Sequence, residues 1–177
     1  MRRYDPRWLI VTLANLLLWW LTGLANHYIA GLAVHLSLGG LLVAYGALRL
    51  DARHGLTATI LTALLVDALE PVPFGTSLVL FSLVHATVLY GRQQFPREGA
   101  IIGIVVALLA NLFLFIALSF LMVGQNPHPA SAWLRIFVDL FFSQLAIVLV
   151  APWFLALQDR SMELAEIHPE TGRQIAR

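Results

Sequence analysis

Six apolar runs separated by short polar breaks make up most of the chain. The first covers about residues 8–24 and is closed by Asn26, His27 and Tyr28. The second covers residues 31–50, with Gly39, Gly40 and Gly46 inside it, and ends at Arg49, Asp51, Arg53 and His54. The third, residues 55–69, is short and carries one carboxylate, Asp67; a corner of Glu70, Pro71, Val72, Pro73 and Phe74 follows. The fourth runs over residues 75–90, and Arg92, Pro96, Arg97 and Glu98 make the next loop. The fifth, residues 99–123, is the longest uncharged stretch; GQNPHPA at 124–130 is a turn, and the sixth run covers residues 133–157. Crossing a bilayer as a helix takes roughly 17–25 apolar residues. The pattern therefore predicts an all-α integral membrane protein, six transmembrane helices in one bundle over residues 1–157. A polar tail, residues 158–177 with Pro169 and Gly172, follows as a loose segment or a short surface helix.

The corner at residues 70–75 organises this reading. Pro71 and Pro73 lack backbone N–H groups and bias the residues before them away from helix. One membrane helix thus ends, turns stiffly, and restarts at Gly75. Asp67, costly near hydrocarbon, has to face protein, a wet cavity or a charged partner.

Composition sharpens the class. Of 177 residues, 59% are hydrophobic and 12% charged, against roughly 25% charged in soluble domains; mean hydropathy is +0.80. The net charge of +1 offers no basic field for nucleic acid. Every basic residue is Arg, and there is no cysteine, which excludes disulfides and thiolate chemistry. Arg2, Arg3 and Arg7 precede the first run as in a signal peptide, but that run is long, contains Trp19 and Trp20, and reads as retained. All arginines except Arg135 fall in the N-terminus, alternate loops and the tail. Positive residues stay cytoplasmic, so both termini are expected in the cytoplasm and the proline corner outside. Trp8, Tyr90 and Trp153 would then mark the inner interface, and Trp19, Trp20, Tyr28 and Trp133 the outer one.

Three groups of residues could carry chemistry. Asp67, Arg135 and Asp139 are expected at similar depth, with Arg135 and Asp139 spaced i, i+4 on one helix face. They make either a proton, ion or ligand site or a structural ionic cluster locking the third span to the sixth. One arginine between two carboxylates already balances most of the charge, which favours the lock. Gly99, Gly103, Ala107 and Asn111 form a small-residue stripe for close helix packing. It could serve a partner or, as is commoner, another span of this chain; Gly40 and Ala44 repeat it weakly. His35 and His85 lie inside spans and read as hydrogen-bonded within the bundle. No metal-ligand spacing, Gly-x-Ser-x-Gly elbow, P-loop or dinucleotide fingerprint is present. Neither catalysis nor a cofactor is expected.

Residues 55–75, the six-span layout and the small size resemble the rod-shape-determining MreD family. In that family an apolar helix with an aspartate meets a short proline- or glycine-bearing corner and a glycine that opens the next helix; here Asp67, Pro73 and Gly75 fill those places, with Pro71 in the same corner. Thr62 and Ala63 stand where the family often has glycine. The resemblance implies a non-enzymatic scaffold of the bacterial inner membrane in the cell-wall elongation machinery. Such a scaffold binds a single-span partner like MreC and works with MreB and the wall synthase pair. It also implies a fold similar to the substrate-binding subunits of energy-coupling-factor vitamin transporters, which supply the alternative function. Candidate partner surfaces are the Gly99–Gly103–Ala107 face of the fifth span and the Phe137–Phe141 face of the sixth.

Overall fold

Helix after helix forms where the apolar runs predict, and their ends show which polar residues fix the turns. A computed structural model of the chain describes residues 6–94, 100–123 and 129–165. The helices are α1 (Arg7–Ile29), α2 (Gly39–Arg49), α3 (Ala52–Leu69), α4 (Thr76–Gly91), α5 (Ala100–Val123) and α6 (Pro129–Leu164). The described residues contain no strand. Three helical segments, Arg7–Leu32, Ile101–Leu121 and Trp133–Leu164, are long and apolar enough to cross a membrane, and α4 is a shorter apolar helix.

The second run departs most from expectation. The helix expected over residues 31–50 covers only the 11 residues of α2. At 1.5 Å per residue that is about 16 Å, half a hydrocarbon core. Before it, α1 continues through the expected break at Asn26–Tyr28, a 3₁₀ turn spans Ala30–Leu32, and Ala33 closes that turn with φ +54°. Residues 33–38 are not helical. Their pattern explains this: Val34, Leu36 and Leu38 alternate with His35 and Ser37, a period of two, and a Gly–Gly pair follows.

α2 is the centre of the bundle. Every residue from Gly40 to Ala47 is buried, and the helix packs on α1, α3, α4, α5 and α6. Glycine makes this possible. A Cβ on Gly40 would collide with the Ala107 carbonyl oxygen and Asn111 of α5, and one on Gly55 with the Gly46 carbonyl oxygen. A polar knot ties the middle of the bundle together. The buried Asn15 side chain donates to the Leu42 carbonyl (2.7 Å) and to Thr62 Oγ1 (3.2 Å), while Gln158 Nε2 donates to Asn15 Oδ1 (3.4 Å). His85 Nδ1 lies 2.9 Å from Thr59 Oγ1, also buried. These groups have only one another in an apolar surround, so they fix which helices pair.

At one end of the bundle, α2 and α3 meet in a tight extended corner at Leu50 and Asp51. Arg92 Nη1 donates to the carbonyls of Ala47 (3.0 Å) and Leu50 (2.5 Å). The Tyr45 hydroxyl donates to Asp159 Oδ1 (3.0 Å), and Arg49 lies 4.0 Å from the same carboxylate. Asp51 caps α3, with His54 Nδ1 2.6 Å from Oδ1. Burial alone would raise the Asp51 pKa. The hydrogen bond and charge of His54, with the His54 and Arg53 amides, outweigh it and hold the carboxylate below its ordinary 3.8. α6 continues through Leu164, with Gln158 and Met162 buried against the bundle. Residues 166–177, like the turn at 124–128, lie outside the described residues.

Candidate functional site

Asp67 lies in the last turn of α3, buried, and its carboxylate is spent on the next helix. Oδ2 accepts the N–H groups of Gly75 (3.0 Å) and Leu78 (3.0 Å), and Oδ1 accepts that of Ser77 (2.8 Å). The first N–H groups of a helix have no intrahelical partner, and the helix dipole favours negative charge there. Gly75, at the N-cap position of α4, has no side chain to supply the cap; Asp67 supplies it from the preceding helix. The corner delivers the chain to this point. Glu70 is extended (φ −95°, ψ 147°), the Thr76 N–H and hydroxyl donate to the Pro73 carbonyl (3.1 and 2.7 Å), and Gly75 turns at φ +95°. Pro71 and Pro73 have no N–H to satisfy in this turn.

Of the expected cluster, Arg135 and Asp139 pair and Asp67 stands apart. Arg135 Nε lies 3.8 Å from Asp139 Oδ2, but its side chain is 66% exposed, and among the described residues it pairs with no other carboxylate. Asp139 instead accepts the His35 N–H through Oδ1 (2.9 Å). Each aspartate thus answers a backbone that has lost its regular partners. The correction has one cause: unpaired amides at a helix start and in a non-helical segment are acceptor-poor, and a buried carboxylate is a strong acceptor for them.

Residues 33–38 are held the same way, by three side chains. Asn26 pairs with both polar groups of Leu36, accepting its N–H on Oδ1 (2.7 Å) and donating to its carbonyl from Nδ2 (2.8 Å). Asp139 takes the His35 amide and Ser143 Oγ, one turn along α6, takes the Ser37 amide (2.9 Å). The Gly40 amide donates to Asn111 Oδ1 (3.2 Å). Asn26, Ser143, Asn15 and Gln158 are structural residues that the sequence reading passed over. The signal available was an amide or hydroxyl inside an apolar run, for Asn15 and Ser143, or just past its end, for Asn26 and Gln158.

The small-residue stripe on α5 is internal. Gly103 is buried, and a Cβ there would press on Leu155 of α6; Ala107 and Asn111 are fully buried against Gly40 of α2. Gly99 lies outside the described residues. The stripe therefore joins α5 to α2 and α6, and no partner can reach it without unpacking the bundle. The other candidate face is open. Phe137 is 63% exposed and Phe141 66%, and rings of Phe120 and Trp133 (5.2 Å between centroids) and of Trp133 and Phe137 (6.3 Å) continue that surface across to α5.

Beside the corner, a cavity of about 530 Å³ opens among the helices. Leu42, Val66, Phe81 and Leu114 contribute apolar wall, while Trp19, Asn26, His35, Ser37, Glu70, Ser77 and Ser119 bring polar groups to it. The segment at 33–38 and the proline corner form two of its sides, so Asp67, Asn26 and Asp139 shape it by positioning backbone. No three His, Asp or Glu side chains among the described residues gather as a metal site. No protein-family model, no curated protein and no solved structure matches this chain.

Proposed function

We propose that the protein is a polytopic, non-enzymatic scaffold of the bacterial inner membrane. In this reading the chain crosses six times, the second time through residues 33–38 and α2 together, both termini are cytoplasmic, and the Pro71–Pro73 corner and the cavity face outward. Its function is that of the MreD-like proteins it resembles: binding a single-span partner similar to MreC within the wall-elongation complex. The observation that carries the reading is the exposed aromatic face of α6 and α5. Helix association in lipid relies on close van der Waals packing and a few polar contacts. With the α5 stripe consumed inside the bundle, Phe137 and Phe141 offer the broad, uncharged surface a partner helix needs. The Asp67-capped corner fits the same family, since Asp67, Pro71, Pro73 and Gly75 act there as one unit.

The test is co-purification from membranes with a tagged single-span wall-elongation partner. Phe137→Ala with Phe141→Ala should abolish capture while thermal stability stays within a few degrees of the parent. Unchanged capture would move the partner to another face. Single-cysteine labelling at Gln125 and after Arg177, in a chain free of native cysteine, should report opposite sides of the membrane; a periplasmic C-terminus ends the topology.

A second reading, a substrate-binding subunit of an energy-coupling-factor type transporter, is favoured by the cavity. Its size falls within the roughly 300–1,000 Å³ of ordinary small-molecule sites. A saturable thermal shift with one vitamin, in the absence of any membrane partner, would support it over the scaffold, because a ligand bound only to the folded state raises stability.

A further inference from the structure

We propose that the cavity beside the corner is a binding site for a small water-borne organic cation with an apolar body. This goes beyond the scaffold reading and requires no transport. Among the described residues that line the cavity, Glu70 is the one carboxylate and none is an arginine. His35 is the other ionisable lining group. Asn26 accepts the Leu36 N–H with its oxygen and donates to the Leu36 carbonyl with its nitrogen, which fixes the orientation of its amide. The Asn26 nitrogen then faces His35 Nε2 at 3.3 Å, so that ring nitrogen is already engaged with the protein. Glu70 is thus the carboxylate that the described lining offers to a ligand.

Hydrogen bonding points the same way. The helix hydroxyls of Thr12, Thr22, Thr57, Thr87 and Ser161 donate to the carbonyl four residues back. Ser77 and Ser119 are both buried, both line the cavity, and neither hydroxyl bonds to a described residue. Neither oxygen is among the fully buried unpartnered atoms, so both hydroxyls open onto the cavity and bond to what fills it, water or a ligand. The wall between them and Glu70 is aromatic and aliphatic, with Trp19 and Phe81 able to cover an apolar body and attract a cation. A carboxylate, two free hydroxyls and aromatic rings around one space select a molecule with a positive head and an apolar remainder.

Because the chain has no cysteine, Ser119→Cys gives a single, nearly isosteric reporter in the cavity. Membranes carrying the full-length variant are treated with two methanethiosulfonates of similar size, one bearing trimethylammonium and one bearing sulfonate. Leu32→Cys, on the exposed 3₁₀ turn, supplies the reference ratio of the two rates. A fixed negative charge draws in the cation and repels the anion, so its effect on the ratio is the square of its effect on either rate. The cation-to-anion ratio in the Ser119→Cys variant should therefore lie at least about tenfold above that in the Leu32→Cys variant. Benzyltrimethylammonium should slow the reaction of the Ser119→Cys thiol alone. Glu70→Gln in the Ser119→Cys background should return the ratio to the reference and abolish protection. Three results would overturn the proposal: no reaction of the Ser119→Cys thiol, a ratio equal to the reference, or a ratio indifferent to Glu70→Gln. If the Ser119→Cys thiol becomes reactive only after lipid is stripped by detergent, the occupant is a lipid and the water-borne cation is excluded.

Discussion

Replacing Asp67 by Asn separates the observed role of this residue from the ion-pair role its charge suggests. The carboxylate accepts three backbone N–H groups at 2.8–3.0 Å. Bonds to a charged acceptor contribute roughly 1.5–3 kcal/mol each, offset in part by the cost of burying the charge. Asparagine keeps one oxygen. Placed where Oδ2 sits, it retains Gly75 and Leu78, but its NH₂ then faces the Ser77 N–H, donor against donor. One charged bond is lost and two become neutral, for a net cost of about 3 kcal/mol. For a chain of this length that is a fall in Tm of about 6–12 °C. Arg135→Ala is the control. Its side chain is 66% exposed and 3.8 Å from Asp139, which keeps the His35 amide without it; such a pair is worth at most about 1 kcal/mol. Thermal unfolding of both variants in the same detergent, followed by near-UV circular dichroism, gives the comparison. If Arg135→Ala falls as far as Asp67→Asn, or Asp67→Asn melts with the parent, the capping account is wrong.

Two further substitution sets probe the packing and the loop. Gly40→Ala drives a methyl into the Ala107 carbonyl and Asn111, so an overpacking cost of about 1–3 kcal/mol or more is expected. Gly23→Ala meets nothing within 4 Å and should stabilise α1 by about 0.5–1 kcal/mol; thermal melts of opposite sign check both. Asp51→Ala removes the α3 cap at about 1 kcal/mol near neutral pH. Since folding lowers the Asp51 pKa below 3.8, this stabilisation is present above that value. It is lost as pH falls through the lower, folded-state value, so melts of parent and Asp51→Ala should converge at acid pH.

The helical class, the number of helices and the proline corner were legible in the chain because they rest on local rules. Apolar length, the missing N–H groups of Pro71 and Pro73, and the conformational freedom of Gly75 act within a few residues. What Asp67 does was not legible. A lone carboxylate in an apolar run calls for a partner, and sequence spacing ranked Arg135 first because charge is visible in sequence and an unpaired amide is not. Only the fold sets the start of α4 against the end of α3, and residues 33–38 against Asn26, Asp139 and Ser143. The break in the second run was half visible, in the alternation from Val34 to Leu38 and in Gly39–Gly40, yet hydropathy averages over it. Nothing local tells whether a non-helical stretch will find side chains from α1 and α6 to replace its lost backbone bonds. The stripe at Gly103, Ala107 and Asn111 shows the same division. Its spacing announced close packing, but which helix fills it was decided by Gly40 of α2 and Leu155 of α6, residues far away in the chain. The cavity is the furthest from sequence. It is the space left where several elements fail to meet, and its chemistry is the sum of side chains that have no pattern until the helices are assembled.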